Sequence, residues 1–222
     1  MALAQDKIRA FGDELLEAWK AARQIAPLSD REPAITIDDA YAVQLRTIAR
    51  RTEAGERLVG KKIGITSRAV MQMLKVDQPD FGHLLSGMAF GDGETLQANR
   101  FCQPRGEGEI AFILKRDLSG PGLTNADVLA ATDCVMPAFE IVDSRVTDWK
   151  IKIQDTVADN GSAAAFVLGD NAAVVTGYYE FTRMKDGKPV PGPSRFTMLI
   201  VKNGGEWRIA HHHSSPRVQP KN

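Results

Sequence analysis

The stretch Gln103–Leu114, "QPRGEGEIAFIL", sets Glu107 and Glu109 one residue apart at the mouth of an apolar run. Side chains alternate across a strand, so residues i and i+2 share one face, roughly 6 to 7 Å apart. Like charges held that close repel unless water or a cation stands between them. Downstream, "MPAFEIVDSR" (Met136–Arg145) reads as a second, buried strand with Glu140 between Phe139 and Ile141. A glutamate buried and ionised there without a partner costs several kcal/mol, so something positive belongs beside it. Three carboxylates facing one point make a hard-cation site, suited to magnesium or manganese with water in the remaining positions. The plainer arrangement is a solvated face for Glu107 and Glu109 with Glu140 paired to Lys62 or Arg145, and spacing alone favours it.

The rest of the chain frames these strands. Its 222 residues are 43% hydrophobic and 25% charged, the make-up of a globular protein with one large domain or two small ones. Lys and Arg number 28, as do Asp and Glu, so no net charge draws the chain to nucleic acid or an anionic membrane. The first residues, "MALAQDKIRAFGDELLEAWKAARQ", space Ile8, Phe11, Leu15, Trp19 and Ala22 by three or four and carry acids throughout. That is an amphipathic helix rather than a signal peptide. No apolar run reaches membrane-spanning length. Cys102 and Cys134 sit in apolar contexts without CxxC spacing and read as core thiols of a cytoplasmic protein.

A second helix is expected from Thr36, with acids in its first turn and Gly55 as its stop. "LVGKKIGITS" reads as a strand, Ser67 as the cap of a short helix "RAVMQMLKV", "DQPDFGHLL" as a loop, and "GDGETLQ" as turns. Thr124 caps a helix "NADVLAATDCV". From Asn171 onward the texture changes to an antiparallel meander of three strands, with a Pro/Gly-rich connection and a tight "KNGGE" turn. Its alternation directs Phe196, Met198, Ile200, Trp207 or Ile209 to one buried face.

Other residues could carry chemistry. Lys61 and Lys62 lie between glycines in "GKKIG", and a lysine beside a metal site can supply a proton or stabilise negative charge. On sequence alone a solvated lysine is the plainer reading. Asp80 in "QPDFG" reads as a turn residue and Ser162 in "TVADNGS" as a loop hydroxyl.

The order of the motifs says more than any one of them. "REPAITIDDAYAVQLR", "GERLVGKKIGITSRAVMQML", "VDQPDFGHLLSGM", "EGEIAFILKRDLSGPG" and "DVLAATDCVMPAFEIVDSRVTDWKIKIQDTVADN" together resemble the 2-hydroxypenta-2,4-dienoate (2-oxopent-4-enoate) hydratases of the fumarylacetoacetate hydrolase superfamily, over residues 1–170. "DWKIKIQDTVADN" is more similar to the hydratases than to the sister 4-oxalocrotonate decarboxylases. The resemblance implies metal ligands at Glu107, Glu109 and Glu140, active-site roles for Lys62, Asp80 and Ser162, and a divalent cation, magnesium or manganese. It also implies a 2-hydroxy-dienoate substrate, a place in aromatic catabolism and a homo-oligomer. "DNGSAAAF" departs from the family's "DNAS", and the long C-terminal half the resemblance implies beyond Asp170 is not recognisable.

Instead, residues 174–215 resemble the last strands of SnoaL-like, cystatin-like proteins, whose small members end in "GEWRIAHHHSS". His211 and His213 share a strand face and His212 points the other way, so at most two can ligate one metal. Nine residues follow, which argues against a purification tag. Lining of a polar pocket is the preferred reading.

The expectation is therefore an α+β protein: a truncated fumarylacetoacetate-hydrolase-like part, 1–170, and a SnoaL-like strand segment, 171–222. The expected activity is metal-dependent hydration of the dienoate, impaired by the replaced half. The alternatives are a noncatalytic small-molecule-binding or dimerising chimera, or a 4-oxalocrotonate decarboxylase.

Overall fold

The computed structural model describes residues 2–68, 71–72, 76–169, 172–203 and 206–216. It is an α+β protein. Helix α1 (Gln5–Lys20) buries Ile8, Phe11, Leu15, Leu16 and Ala18, the stripe its spacing predicts. After a short α2 (Leu28–Arg31), α3 (Ile37–Glu53) begins at a capping box in which Thr36 Oγ1 accepts from Asp39 N and Asp39 Oδ2 accepts from Thr36 N. The two long helices touch at Gly12, where a Cβ would meet Arg46 Cγ at 2.6 Å. Their core joins Ile8, Phe11, Leu15, Val43 and Val157. No helix among the described residues is long and apolar enough to cross a membrane.

Strand β1 (Leu58–Gly64) pairs antiparallel with β2 (Asp80–Leu85), placing Lys62 opposite Gly82 and Gly64 opposite Asp80. The loop expected over "DQPDFGHLL" is thus largely a strand. Its Gly and His conceal the pattern, because Gly82 is there to let the Lys62 stem pass. The short helix expected after Ser67 falls partly outside the described residues. Strands β3 (Ala89–Phe90), β4 (Arg105–Leu114), β5 (Thr132–Val142) and β6 (Ala163–Leu168) form a four-stranded sheet in the order β3-β6-β5-β4. Thr124 caps α4 (Asn125–Ala131) as expected, but that helix stops at Ala131 and "TDCV" already belongs to β5. The β-branched Thr132 and Val135 suit a strand better than a last helical turn. The short α5 (Ile153–Ala158) precedes β6.

Burial along β4 and β5 departs from expectation. Ile110, Phe112 and Leu114 are exposed, as are Val135 and Phe139, and only the Glu140–Val142 end of β5 is enclosed. Cys134 is exposed and Cys102 half-buried, so the former is not a core thiol.

The C-terminal strands β7 (Ala172–Lys185), β8 (Lys188–Asn203) and β9 (Glu206–Pro216) form an antiparallel meander in that order. The first turn is Asp186–Gly187, both at positive φ (52° and 76°), the conformation of a two-residue type I′ hairpin. The Pro/Gly-rich stretch is therefore strand, not connection. Pro189, Pro191 and Pro193 sit at alternate positions of β8, before its pairing with β9 begins at Ser194. Their missing N–H groups all fall on the side without a partner strand. Phe196, Met198 and Ile200 are half-buried, Ile209 is exposed, and the side chain of Trp207 lies outside the described residues.

By its contacts the chain divides into two compact units, Met1–Glu107 with Phe139–Val167, and Gly108–Ala138 with Leu168–Asn222.

Candidate active site

Strand alternation turns Lys62 inward and leaves Lys61 exposed. Lys62 is nearly buried, its side chain 9% exposed, and Nζ lies 3.2 Å from Glu140 Oε1, whose side chain is 7% exposed. The solvated lysine suggested by sequence is thus corrected. The positive partner expected for Glu140 is Lys62 and not Arg145, which pairs with Asp159 at 2.6 Å. Nζ also donates to the Gly161 carbonyl at 3.0 Å.

Glu107 and Glu109 are exposed on β4, yet one carboxylate oxygen from each lies with one of Glu140 inside a group whose members are all within 4.8 Å of one another. Ligand distances of about 2.1 to 2.4 Å place the oxygens of a six-coordinate magnesium, manganese or calcium within such a span. The residues fit a hard divalent cation. The counter-charge at Lys62 and the oxygen cluster are parts of one arrangement, so the two readings of these glutamates are not exclusive.

Asp80 is buried at the start of β2 and is not a turn residue. Thr156 Oγ1 donates to its Oδ2 at 3.1 Å, while Oδ1 has no hydrogen-bond partner among the described residues. Glycines make room for this packing. A Cβ on Gly64 would stand 2.2 Å from Asp80 Oδ1 and 3.5 Å from Lys62 Nζ, and one on Gly82 would stand 2.9 Å from Lys62 Cγ.

Ser162 enters through its backbone. Asn160, Gly161 and Ser162 all have positive φ (60°, 61° and 54°), a left-handed turn that costs about 1 to 2 kcal/mol for each non-glycine residue. The Ser162 carbonyl accepts from Asp143 N at 2.8 Å, and its hydroxyl is directed at Asp159 Oδ2, 3.5 Å away. The Asn160 side chain pairs with the backbone of His83 on both sides, Oδ1 accepting from N at 2.7 Å and Nδ2 donating to O at 2.9 Å. His83 Nδ1 is 2.9 Å from Gln44 Oε1. Gln44 Nε2 donates to the Phe81 and Val157 carbonyls, which fixes Oε1 as an acceptor and places the imidazole proton on Nδ1. Burial, and then the charge of Lys61, lower the pKa of His83. Burial also raises that of Tyr41, with the Asp80 charge adding to it.

Asn160, Thr156 and the glycines were not singled out by sequence reasoning. Asp-Asn-Gly is a signature of residues tolerant of positive φ and marks the turn, but nothing local marks a bond to His83.

Of the histidine run, His212 and His213 are exposed and the side chain of His211 lies outside the described residues. His212 meets Phe196 edge-on, ring centroids 6.3 Å apart. Among the described residues the metal-type cluster is the glutamate group.

Comparison with known proteins bears on this arrangement. A profile of the SnoaL-like domain matches residues 124–219, beginning well before Val174. The chain is 58% identical over 166 residues to the 2-hydroxypent-2,4-dienoate hydratase of Pseudomonas putida, covering 74% of this chain and 75% of that protein. It is 52% identical over 188 residues to the 2-hydroxyhexa-2,4-dienoate hydratase of Comamonas testosteroni, covering 82% and 71%. The solved structure of 4-oxalocrotonate decarboxylase from Pseudomonas putida G7, complexed with magnesium and adipate, superposes with a TM-score of 0.73 at 30% identity, over 86% of this chain and 74% of that one. That share exceeds residues 1–170, so the likeness of fold runs into the C-terminal strands. The sequence shared with these enzymes over most of their length shows that the chain belongs to the 2-hydroxypent-2,4-dienoate hydratase family of the fumarylacetoacetate hydrolase superfamily.

Proposed function

We propose that the protein adds water to 2-hydroxypenta-2,4-dienoate to give 4-hydroxy-2-oxopentanoate, in the breakdown of aromatic compounds. The observation that carries this reading is the convergence of Glu107, Glu109 and Glu140 with Lys62 held against one of them. A magnesium or manganese ion held by the three glutamates would supply Lewis-acid polarisation of the substrate's 2-oxygen. Lys62 is the proton donor: its ammonium has three N–H groups, one of which is engaged by Gly161. Asp80 Oδ1, buried and open to a new hydrogen bond, receives the proton of the substrate's 2-hydroxyl. As that proton leaves, C5 gains one from Lys62 and the double bonds shift to a 2-oxo-3-ene. Water oxygen then bonds to C4 and one of the water's protons to C3, and the proton held by Asp80 returns to Lys62, so the net change is one water. Ser162 supports the site through the turn that carries Gly161.

Hydration is favoured over decarboxylation because the hydratases share 58% and 52% identity with the chain and the decarboxylase 30%. The noncatalytic alternative has only the SnoaL-like match in its favour. We further propose a division of sequence origin at residues 1–170 and 171–222, distinct from the division into compact units, together with a cytoplasmic location and a homo-oligomer, the last checked by light scattering. Turnover is expected to be slow because the C-terminal strands match a SnoaL-like domain in sequence, whereas cation binding rests on β4 and β5.

Freshly generated dienol should lose its ultraviolet absorbance faster with enzyme and magnesium than with enzyme and chelator. Equal decay in both, with product appearing only at the spontaneous rate, would overturn the proposed activity.

A further inference from the structure

We propose that Asn160 is a positioning residue, whose carboxamide pairs with the backbone of His83 and so holds the Gly161 carbonyl where it receives Lys62. The inference rests on the reading of Lys62 as proton donor and concerns what keeps that ammonium in place.

A lysine has four rotatable bonds, so packing of the Lys62 stem past Gly82 leaves the final placement of the ammonium to what it touches. Here Lys62 Nζ has a carbonyl at 3.0 Å and a carboxylate at 3.2 Å. The carboxylate belongs to Glu140, itself a candidate metal ligand, so its charge is shared with any bound cation. The Gly161 carbonyl has no such competing demand. It belongs to a turn of three left-handed residues, two with side chains, which free peptide would abandon. Two long-range attachments hold that turn: Ser162 O accepts from Asp143 N on one side, and Asn160 bonds His83 on the other. His83 stands opposite Lys61 in the β1–β2 pair, so its outward N–H and C=O need a partner beyond the two-stranded sheet. Asn160 supplies both donor and acceptor, as a neighbouring strand would. The fit is close, since a Cβ on Gly82 would come within 2.6 Å of the Asn160 carbonyl. The same His83 is tied through its ring to Gln44, so the anchor itself is immobilised.

Two substitutions separate this role from simple backbone tolerance. Asn160→Gly accepts positive φ more readily than asparagine but has no side chain, and Asn160→Asp keeps size and acceptor but loses the donor to the His83 carbonyl. Reductive methylation read by peptide mass spectrometry, with Lys61 as internal reference, should label Lys62 about tenfold faster or more in both variants, as expected for loss of a charge-assisted hydrogen bond. The rise in melting temperature with magnesium should persist, because no glutamate is touched. Where dienoate hydration is measurable, kcat should fall about a hundredfold with little change in KM, the signature of a misplaced group. Unchanged Lys62 labelling in Asn160→Gly would overturn the proposal, as would loss of the magnesium effect together with kcat. Because labelling needs no turnover, the inference can fail or stand independently of the hydratase activity.

Discussion

Lys62 Nζ and Glu140 Oε1 face each other at 3.2 Å in a nearly buried pair, so one of the three clustered carboxylates already has a counter-charge before any cation arrives. Removing one member of such a pair leaves an uncompensated charge and costs about 3 to 5 kcal/mol. Lys62→Met keeps the stem and removes the charge. We expect the metal-free variant to melt lower than the parent, magnesium to raise its melting temperature by more than in the parent, and turnover to fall at least about a hundredfold. A smaller magnesium effect in the variant would show that Lys62 helps to form the cation site instead of competing with it.

Glu140→Gln should behave in the opposite way. It removes the enclosed ligand charge while Glu107 and Glu109 remain on an exposed face, where two carboxylates hold a hard cation weakly. Magnesium or manganese should raise the parent's melting temperature and leave that of Glu140→Gln unchanged. Differential scanning fluorimetry with a chelator control decides it. A parent melting curve indifferent to saturating metal would count against the site.

What could be read from the sequence follows from how local each signal is. The Thr36 and Thr124 capping boxes lie within four residues, and both helices start there. The Glu107 and Glu109 spacing fixes a shared strand face, and Glu140 in its apolar frame announces the need for a counter-charge. Asp80 was misread because its strand is defined by a partner sixteen residues away, opposite Gly64. The bond between Asn160 and His83 spans 77 positions and leaves no local trace. The prolines of β8 were misread for the reverse reason: a strong local signal gave way to a two-residue turn, Asp186–Gly187, that already closes the hairpin.

The glycines around Lys62 should tolerate substitution far less well than Gly108 of the metal strand. Gly64→Ala would put a methyl 2.2 Å from Asp80 Oδ1, and Gly82→Ala would put one 2.6 Å from the Asn160 carbonyl, whereas at Gly108 nothing lies within 4 Å. Overpacking of this kind costs about 1 to 3 kcal/mol. Urea titrations should show that loss for Gly64→Ala and Gly82→Ala and almost none for Gly108→Ala. Equal stability of all three would show that the walls around Lys62 yield.

Asp159 gives a pH dependence of known sign. Burial pushes its carboxyl up to about 6 from 3.8, against the opposing pull of Arg145. A raised folded-state value means that the folded protein binds the proton more tightly than the unfolded chain, so this group's contribution is full below about pH 4 and is lost as pH rises through about 6. The stability difference between parent and Asp159→Asn should therefore be larger at pH 4.5 than at pH 7.5, by up to about 3 kcal/mol for a shift of this size. A difference that grows with pH would mean that the Arg145 bonds at 2.6 and 3.0 Å keep the carboxylate ionised in spite of its burial.

The C-terminal strands should be required by the segment Gly108–Ala138, with which they form one compact unit. Gly169 N donates to the Pro137 carbonyl at 3.0 Å, so β5 and the chain leading into β7 are bonded directly before the meander begins. Beyond that point β8 holds fourteen residues of β7 in register, and β9 closes its other edge from Ser194 onward. Truncation after Asp170 removes this sheet and leaves Ile110, Phe112, Leu114 and Val135, already exposed, without the remainder of their unit. Exposed apolar strands of that kind aggregate. We expect the 1–170 fragment to appear in the void volume on size exclusion, while Gly187→Ala in the full chain, which strains the φ of 76° at the hairpin turn, costs only about 1 kcal/mol. A soluble 1–170 fragment with a cooperative melt and an intact magnesium response would show that the meander is an independent appendage and that the cation site stands without it.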